Sequence, residues 1–233
     1  MGSRRLREHN LPLQHPSSDL PSWRLSIEEF VANYVVSLEG IDLNDVSVLD
    51  LGCGHGYMLL RLSGLLSCKA RLVGVDINSS AISQALANAK QLRGKPNVEF
   101  RCADVENLTS GDGKFDVVVA NLSFSAFRIP ARVASVASQL LKTNGRLIVS
   151  EVSSIRPLGK LGQLADASSR KARYNLFSPT RLTNLFISYG FRRIRMARVP
   201  LKARLMKRYL RIPSGLSPVF LVELSKSVSY MEA

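Results

Sequence analysis

Three acids and three glycines stand where this sequence could do chemistry. Asp50 closes the apolar run VSVLD, and Gly52, Gly54 and Gly56 alternate in the LGCGHG that follows. Asp76 closes RLVGVD, and Asp104 lies in CADVEN, just beyond NVEFRC. Alternating glycines let a backbone approach a ligand closely and take φ values that side chains resist. A dinucleotide fingerprint would need a third glycine where Tyr57 stands, and a phosphate-cradling loop would need the missing Gly-Lys-Ser/Thr. An acid beside the loop repels phosphate and favours a cation. An acid about 20 residues further on, at the next strand's tip, reaches a ribose diol. The ligand described is a nucleoside with a ribose, a positive charge and no phosphate.

A second set of polar groups follows the apolar run FDVVVAN. Asn121-Leu122-Ser123-Phe124 offers an amide, a turn and an aromatic ring. The histidines are His9, His15 and His55, and none is paired with an acid as a general base would be. NLSFSAFRI carries no carboxylate, so no oxygen-ligand metal cluster is expected there. Cys53, Cys68 and Cys102 form no Cys-x-x-Cys pair, which argues against structural zinc and for reduced thiols in the cytoplasm.

These groups need a scaffold that gathers them, and the sequence supplies one. From Val46 onward, apolar runs of strand length alternate with helical patterns. The strands are VSVLDL, RLVGVD, NVEFRC, FDVVVAN and GRLIVSEV. The helices are GYMLLRLSGLL, NSSAISQALANAKQL with Asn78 as its cap, and PARVASVASQLL opening on Pro130. Buried strands separated by helices predict a parallel, doubly covered α/β sheet. In such a sheet ligands bind beyond the carboxyl ends of the strands, so the tips carrying Asp50, Asp76 and Asp104 line one crevice. A helix is expected over residues 23–40, with Ser26 and Glu29 as its capping box and Ile27, Phe30, Val31, Tyr34, Val35 and Leu38 on one face. Residues 1–22 read as a mobile arm. After Val152 come a strandless stretch, a capped helix SPTRLTNLFISYG, and the strands FRRIRMARV and PVFLVELSKSV. Between those strands Leu201, Leu205, Met206, Tyr209 and Leu210 share a face opposite Lys202, Arg204, Lys207, Arg208 and Arg211.

The chain has 233 residues and a net charge of +14, unevenly spread. Residues 1–40 carry 4 basic and 5 acidic side chains, residues 41–150 carry 12 and 9, and residues 151–233 carry 16 and 4. From Arg192 to Arg211 there are nine Lys or Arg and no acid. Such a segment attracts RNA, an anionic membrane or an anionic substrate. No apolar run reaches membrane-spanning length, and no secretory leader is expected.

Residues 46–151 resemble the class I S-adenosylmethionine-dependent methyltransferases, through VLDLGCGHG, VGVDIN, CADVEN and FDVVVAN taken in order. The resemblance implies a Rossmann-like, doubly wound, mostly parallel seven-stranded sheet with an antiparallel last strand, over a domain spanning residues 41–233. S-adenosyl-L-methionine fits the nucleoside described above. The resemblance implies that Gly52, Gly54 and Gly56, with Cys53 between them, pass close to the methionine portion. Asp50 would help hold its amino group, Asp76 the ribose hydroxyls, Ile77 would pack on the adenine, and Asp104 with Val105 would face the adenine edge. Asn121 lies at the tip of the fourth strand and is expected at both the cofactor and the acceptor.

The acceptor stays open between classes. The tail resembles small-molecule methyltransferases of the type-11, ubiquinone-biosynthesis kind, which implies a lid over residues 153–177 with Tyr174 and Phe177 lining the acceptor pocket. Residues 201–217 would be a basic insertion. Asn121-Leu122-Ser123-Phe124 is similar to the Asn-Leu-Pro-Tyr of rRNA adenine dimethylases, with serine in place of proline. That likeness implies Asn121 and the Leu122 carbonyl accepting from an amine while Phe124 stacks on its ring. A small molecule is the first reading, with metal-independent in-line transfer. An RNA base nitrogen, a protein side chain and a non-catalytic cofactor-binding module are the alternatives. Arg192 to Arg211 would be the face for RNA or for an anionic membrane.

Overall fold

Seven strands form one mixed sheet in a computed structural model that describes residues 22–92, 97–153, 177–200 and 219–226. In chain order the elements are α1 (Ser22–Val36), β1 (Ser47–Leu51), α2 (Tyr57–Ser63), β2 (Arg71–Asp76), α3 (Ser79–Gln91), β3 (Val98–Cys102), β4 (Phe115–Asn121), α4 (Pro130–Leu140) and β5 (Leu141–Val152). Then follow α5 (Pro179–Ile187), β6 (Phe191–Arg198) and β7 (Val219–Lys226). The strand order is β3-β2-β1-β4-β5-β7-β6. β1 to β5 pair in parallel, and β7 runs antiparallel to both β5 and β6. The Rossmann-like sheet with its antiparallel last strand is thus present as expected.

Every residue of β1 and nearly every residue of β4 and β7 is buried, because helices cover both faces of the sheet. Side chains alternate between two cores. Leu49, Leu51, Val118, Ala120, Leu147 and Val149 pack with Val133, Ala137 and Leu140 of α4 and Leu182 and Phe186 of α5. Val48, Val117, Val119, Ile148 and Leu221 pack with Ile27, Val31 and Val35 of α1 and with Met58 and Leu59 of α2. Ile27, Val31 and Val35 are fully buried, each contributing about 1.5–3 kcal/mol from apolar burial.

The period of two decides where the polar tips point. Asp50 follows Val48, Asn121 follows Val119 and Ser150 follows Ile148, so all three face the α1 side of the sheet. Registers Val48↔Val117 and Asn121↔Ser150 bring them to the same end.

Some boundaries differ from expectation, α1 ending at Val36 instead of residue 40 among them. α1 begins at Ser22, so Ser26 is an interior residue and no capping box forms there. Trp23 is buried in the α1 core, and that burial extends the helix a turn past the local capping signal. β5 begins at Leu141 rather than Gly145, with Asn144 in the left-handed region at φ 65°. The expected arm, most of the lid with Tyr174, and the basic insertion lie outside the described residues. No helix among those described is long and apolar enough to cross a membrane.

Candidate cofactor and acceptor site

The glycine loop turns at the tip of β1 with all three glycines in the left-handed region, at φ 81°, 53° and 77° for Gly52, Gly54 and Gly56. Each glycine answers a different need. A Cβ on Gly52 would meet the Ser123 Cβ at 2.6 Å, and one on Gly56 would meet the Phe100 ring at 2.5 Å. A Cβ on Gly54 would meet nothing within 4 Å. Gly52 and Gly56 therefore let the loop pack on the protein, while Gly54 borders open space where a ligand can come against the backbone.

Asp76 ties β2 to this loop. Its Oδ2 accepts from the Gly54 N–H at 2.8 Å, and its Oδ1 accepts from the Asn78 N–H at 2.9 Å. Asn78 then caps α3 by accepting from the Ser80 and Ala81 N–H groups. Ile77, next to Asp76, is 66% exposed, the largest exposure among the big apolar side chains described. An uncovered isoleucine beside that acid suits a flat apolar ring.

Asp50 is buried, and its Oδ1 has no hydrogen-bond partner. Burial, followed by the nearby charges of Glu28 and Asp76, holds its carboxyl well above the usual carboxylate range. Cys53 is half-buried, and burial together with Asp50 and Asp76 pushes its thiol up, so it is a neutral packing group and not a nucleophile.

Asp104 has local duties as well. Its Oδ1 caps a short turn by accepting from the Glu106 N–H, and its Oδ2 accepts from Arg128 at 2.7 Å. Arg128 is 73% exposed and also lies 3.7 Å from the buried Glu106, which accepts from the Ile129 N–H. The Val105 side chain is in the core, so only its backbone is available to an adenine edge.

Around the tip of β4 the structure corrects two expectations, for Phe124 and for Phe177, and adds residues the sequence did not suggest. The Asn121 amide is engaged at both ends. Its Nδ2 donates to Glu28 Oε2 at 2.6 Å, and its Oδ1 accepts from the Ser150 hydroxyl. Phe124 is fully buried against Phe127, Phe177 and Phe186, with ring centroids 5.1 to 5.9 Å away. Its faces are taken by other rings, so it supports the turn from below and does not stack on an acceptor. Phe177 belongs to the same buried cluster, so it is a core residue and not a pocket wall. Ser123, standing where the dimethylase-like motif has proline, donates to the Leu51 carbonyl at 2.6 Å and locks this turn to the glycine loop. Glu151 is buried and accepts from the Ser125 and Val152 N–H groups, and burial raises its carboxyl.

Glu28 is the addition that matters most. It hangs from α1 over the tips of β1 and β4, with its side chain 14% exposed. Burial pushes its carboxyl up to about 7, against the pull of Arg24, 3.9 Å away, and of Asn121. Glu28 stands one turn before Ala32, which is fully buried, while its neighbour Glu29 turns outward to Arg61 at 3.3 Å.

The family profile described as Methyltransferase domain matches residues 42–190, more than half of the chain. The chain belongs to this methyltransferase family. The ribosomal protein L11 methyltransferase of Haemophilus influenzae is 35% identical over 115 residues, covering 49% of this chain and 36% of that protein. The ubiquinone biosynthesis O-methyltransferase of Coxiella burnetii is 31% identical over 113 residues, covering 48% of this chain and 46% of that protein. The chain thus spans less than half the length of these curated relatives. Among solved structures, the magnesium protoporphyrin IX methyltransferase of Synechocystis PCC 6803 with bound SAH has a TM-score of 0.66 at 19% identity, covering 88% of this chain and 84% of that one. The geranyl diphosphate C-methyltransferase of Streptomyces coelicolor A3(2) has a TM-score of 0.66 at 16% identity, covering 85% and 79%. This methyltransferase has the class I fold and uses S-adenosylmethionine. The partnerless Asp50 oxygen, the open side of Gly54 and the bare Ile77 all fit that cofactor.

Proposed function

We propose that this methyltransferase passes the methyl group of S-adenosylmethionine directly, without a metal, to a small-molecule acceptor. The observation that carries the reading is Glu28 of α1 bonded to Asn121 at 2.6 Å. A helix that close to the β4 tip covers the acceptor side and suits a compact acceptor better than a duplex or a folded protein.

When bound, the cofactor supplies a methyl group on a positively charged sulfur, which leaves readily. The chain's own task is then proximity, orientation and a dry site. Gly54 lets the ligand lie against the backbone, Asp76 takes the ribose hydroxyls, and Ile77 packs on the adenine, with Asp104 and the Val105 backbone at its edge. Asp50 and Asn121 border the methionine portion. The buried Phe124 cluster holds the β4 turn still beneath the acceptor. A general base is optional for such a transfer.

One observation favours a second reading, transfer to an RNA base. Arg192, Arg193, Arg195 and Arg198 are exposed on the edge strand β6, as a phosphate-contacting face would be. The engaged amide of Asn121 and the buried ring of Phe124 weigh against it.

The test uses methyl-tritiated S-adenosylmethionine, the purified protein and an extract from its source, with and without a chelator. Label should enter the solvent-extractable fraction, and the chelator should not change its amount. Label in RNA, lost on ribonuclease treatment, or label in protein would overturn the small-molecule reading.

A further inference from the structure

The cofactor pocket holds one more acid than the glycine loop and the ribose require. Asp50 is 2% exposed, and its Oδ1 has no hydrogen-bond partner. Glu28 comes down from α1 onto the same side of the sheet and acts on Asp50 through its charge, as does Asp76 from β2. The other groups facing the pair are few. Arg24 on α1 lies 3.9 Å from Glu28 and is 39% exposed, Asn121 on β4 offers only a neutral amide, and Glu151 on β5 is a further acid within reach of Arg24. Arg24 is the one cation among these, against four carboxyl groups, and it is partly in solvent. A buried carboxylate and a half-buried one so arranged resist being charged together unless a cation joins them, and otherwise one holds a proton.

We propose that Glu28 and Asp50 together seat the ammonium group of the cofactor's methionine portion, and that the cofactor binds with release of the proton this pair otherwise holds. The proposal rests on the cofactor lying at these strand tips, and it adds a residue from outside the nucleotide-binding core. In the binding step a carboxyl O–H ionises, its proton passes to solvent, and the ammonium takes its place between two carboxylates. No other bond changes. The raised carboxyls of Glu28 and Asp50 agree with this arrangement.

The experiment is titration calorimetry with S-adenosylhomocysteine at about pH 6.5, in two buffers of different ionisation enthalpy, on wild type and Glu28→Gln. Methylthioadenosine, which has the nucleoside and sulfur but no ammonium, is titrated in parallel. Wild type should release roughly one proton per S-adenosylhomocysteine and close to none with methylthioadenosine. Glu28→Gln should lose most of that release and bind S-adenosylhomocysteine at least about tenfold more weakly, as when one partner of a buried charge pair is removed. Its affinity for methylthioadenosine should stay that of wild type, which also shows that the variant is folded. Equal proton release and equal affinity for S-adenosylhomocysteine in the two proteins would overturn the proposal. So would an equal loss for both ligands in the variant, because Glu28 would then act on the whole pocket. Failure of wild type to bind either ligand is a different result, and it removes the cofactor seat itself.

Discussion

Gly54 and Gly56 share a left-handed φ, yet they meet different demands. At Gly56 an added methyl collides with the Phe100 ring, and at Gly54 it enters open space. Gly56→Ala should therefore cost about 2–4 kcal/mol of stability, from left-handed strain plus overpacking. Gly54→Ala should cost only about 1 kcal/mol, yet weaken the cofactor severely. Thermal melts and calorimetry on both variants separate the two effects, and equal losses of stability would deny the difference. Glu28 makes a prediction of opposite character. Its carboxyl is raised from 4.5 to about 7 in the fold. Between those values the folded chain keeps a proton that the unfolded chain has lost, so stability of the cofactor-free protein falls as pH rises through that window. The loss reaches on the order of 3 kcal/mol at most. Glu28→Gln should thus melt higher than wild type above neutrality, with the gap closing towards about pH 4.5. A gap that does not change with pH would contradict the assignment.

At the scale of elements, α1 packs on the sheet and brings Glu28 to the tip of β4. It is anchored at its far end by Tyr34, whose hydroxyl donates to Glu223 of β7 at 2.6 Å, with Arg146 of β5 at 3.3 Å from the same carboxylate. Tyr34→Phe leaves that acid short of one donor and should cost about 1–2 kcal/mol, read from denaturant unfolding. An unchanged midpoint would show that the anchor is not needed. The strands were legible because strands buried on both faces are written as continuous apolar runs, and their tips announced themselves as Asp50, Asp76 and Asp104. The start of α1 was not, because a capping signal at Ser26 is local while the burial of Trp23 is tertiary. Glu28 was hidden for a similar reason. Its partner Asn121 is 93 residues away, and only the strand register turns both to the same face. The likeness of Asn121-Leu122-Ser123-Phe124 to an amine-binding motif misled on Phe124, since composition does not reveal that other rings already cover it.

The whole molecule is lopsided in charge, with its basic excess in the last third and four exposed arginines on the edge strand β6. Ile194 and Met196 lie bare among them, at 44% and 47% exposure. With a small acceptor, this face takes no part in transfer. Reversing Arg193 and Arg198 to glutamate should leave methyl transfer to a small acceptor unchanged, whereas an RNA enzyme would lose activity and the steep salt dependence of its binding. The proposed transfer requires the cofactor at the tips of β1 and β2, and Asp76 is the residue proposed to hold it there. Calorimetric titration of S-adenosylhomocysteine into wild type and Asp76→Ala tests that requirement most directly. Asp76 accepts from Gly54 and is proposed to hold the ribose, so the variant should bind roughly a hundredfold more weakly, about 3 kcal/mol, the scale of losing hydrogen bonds to a charged group. Equal affinity in the two proteins would mean that the cofactor lies elsewhere.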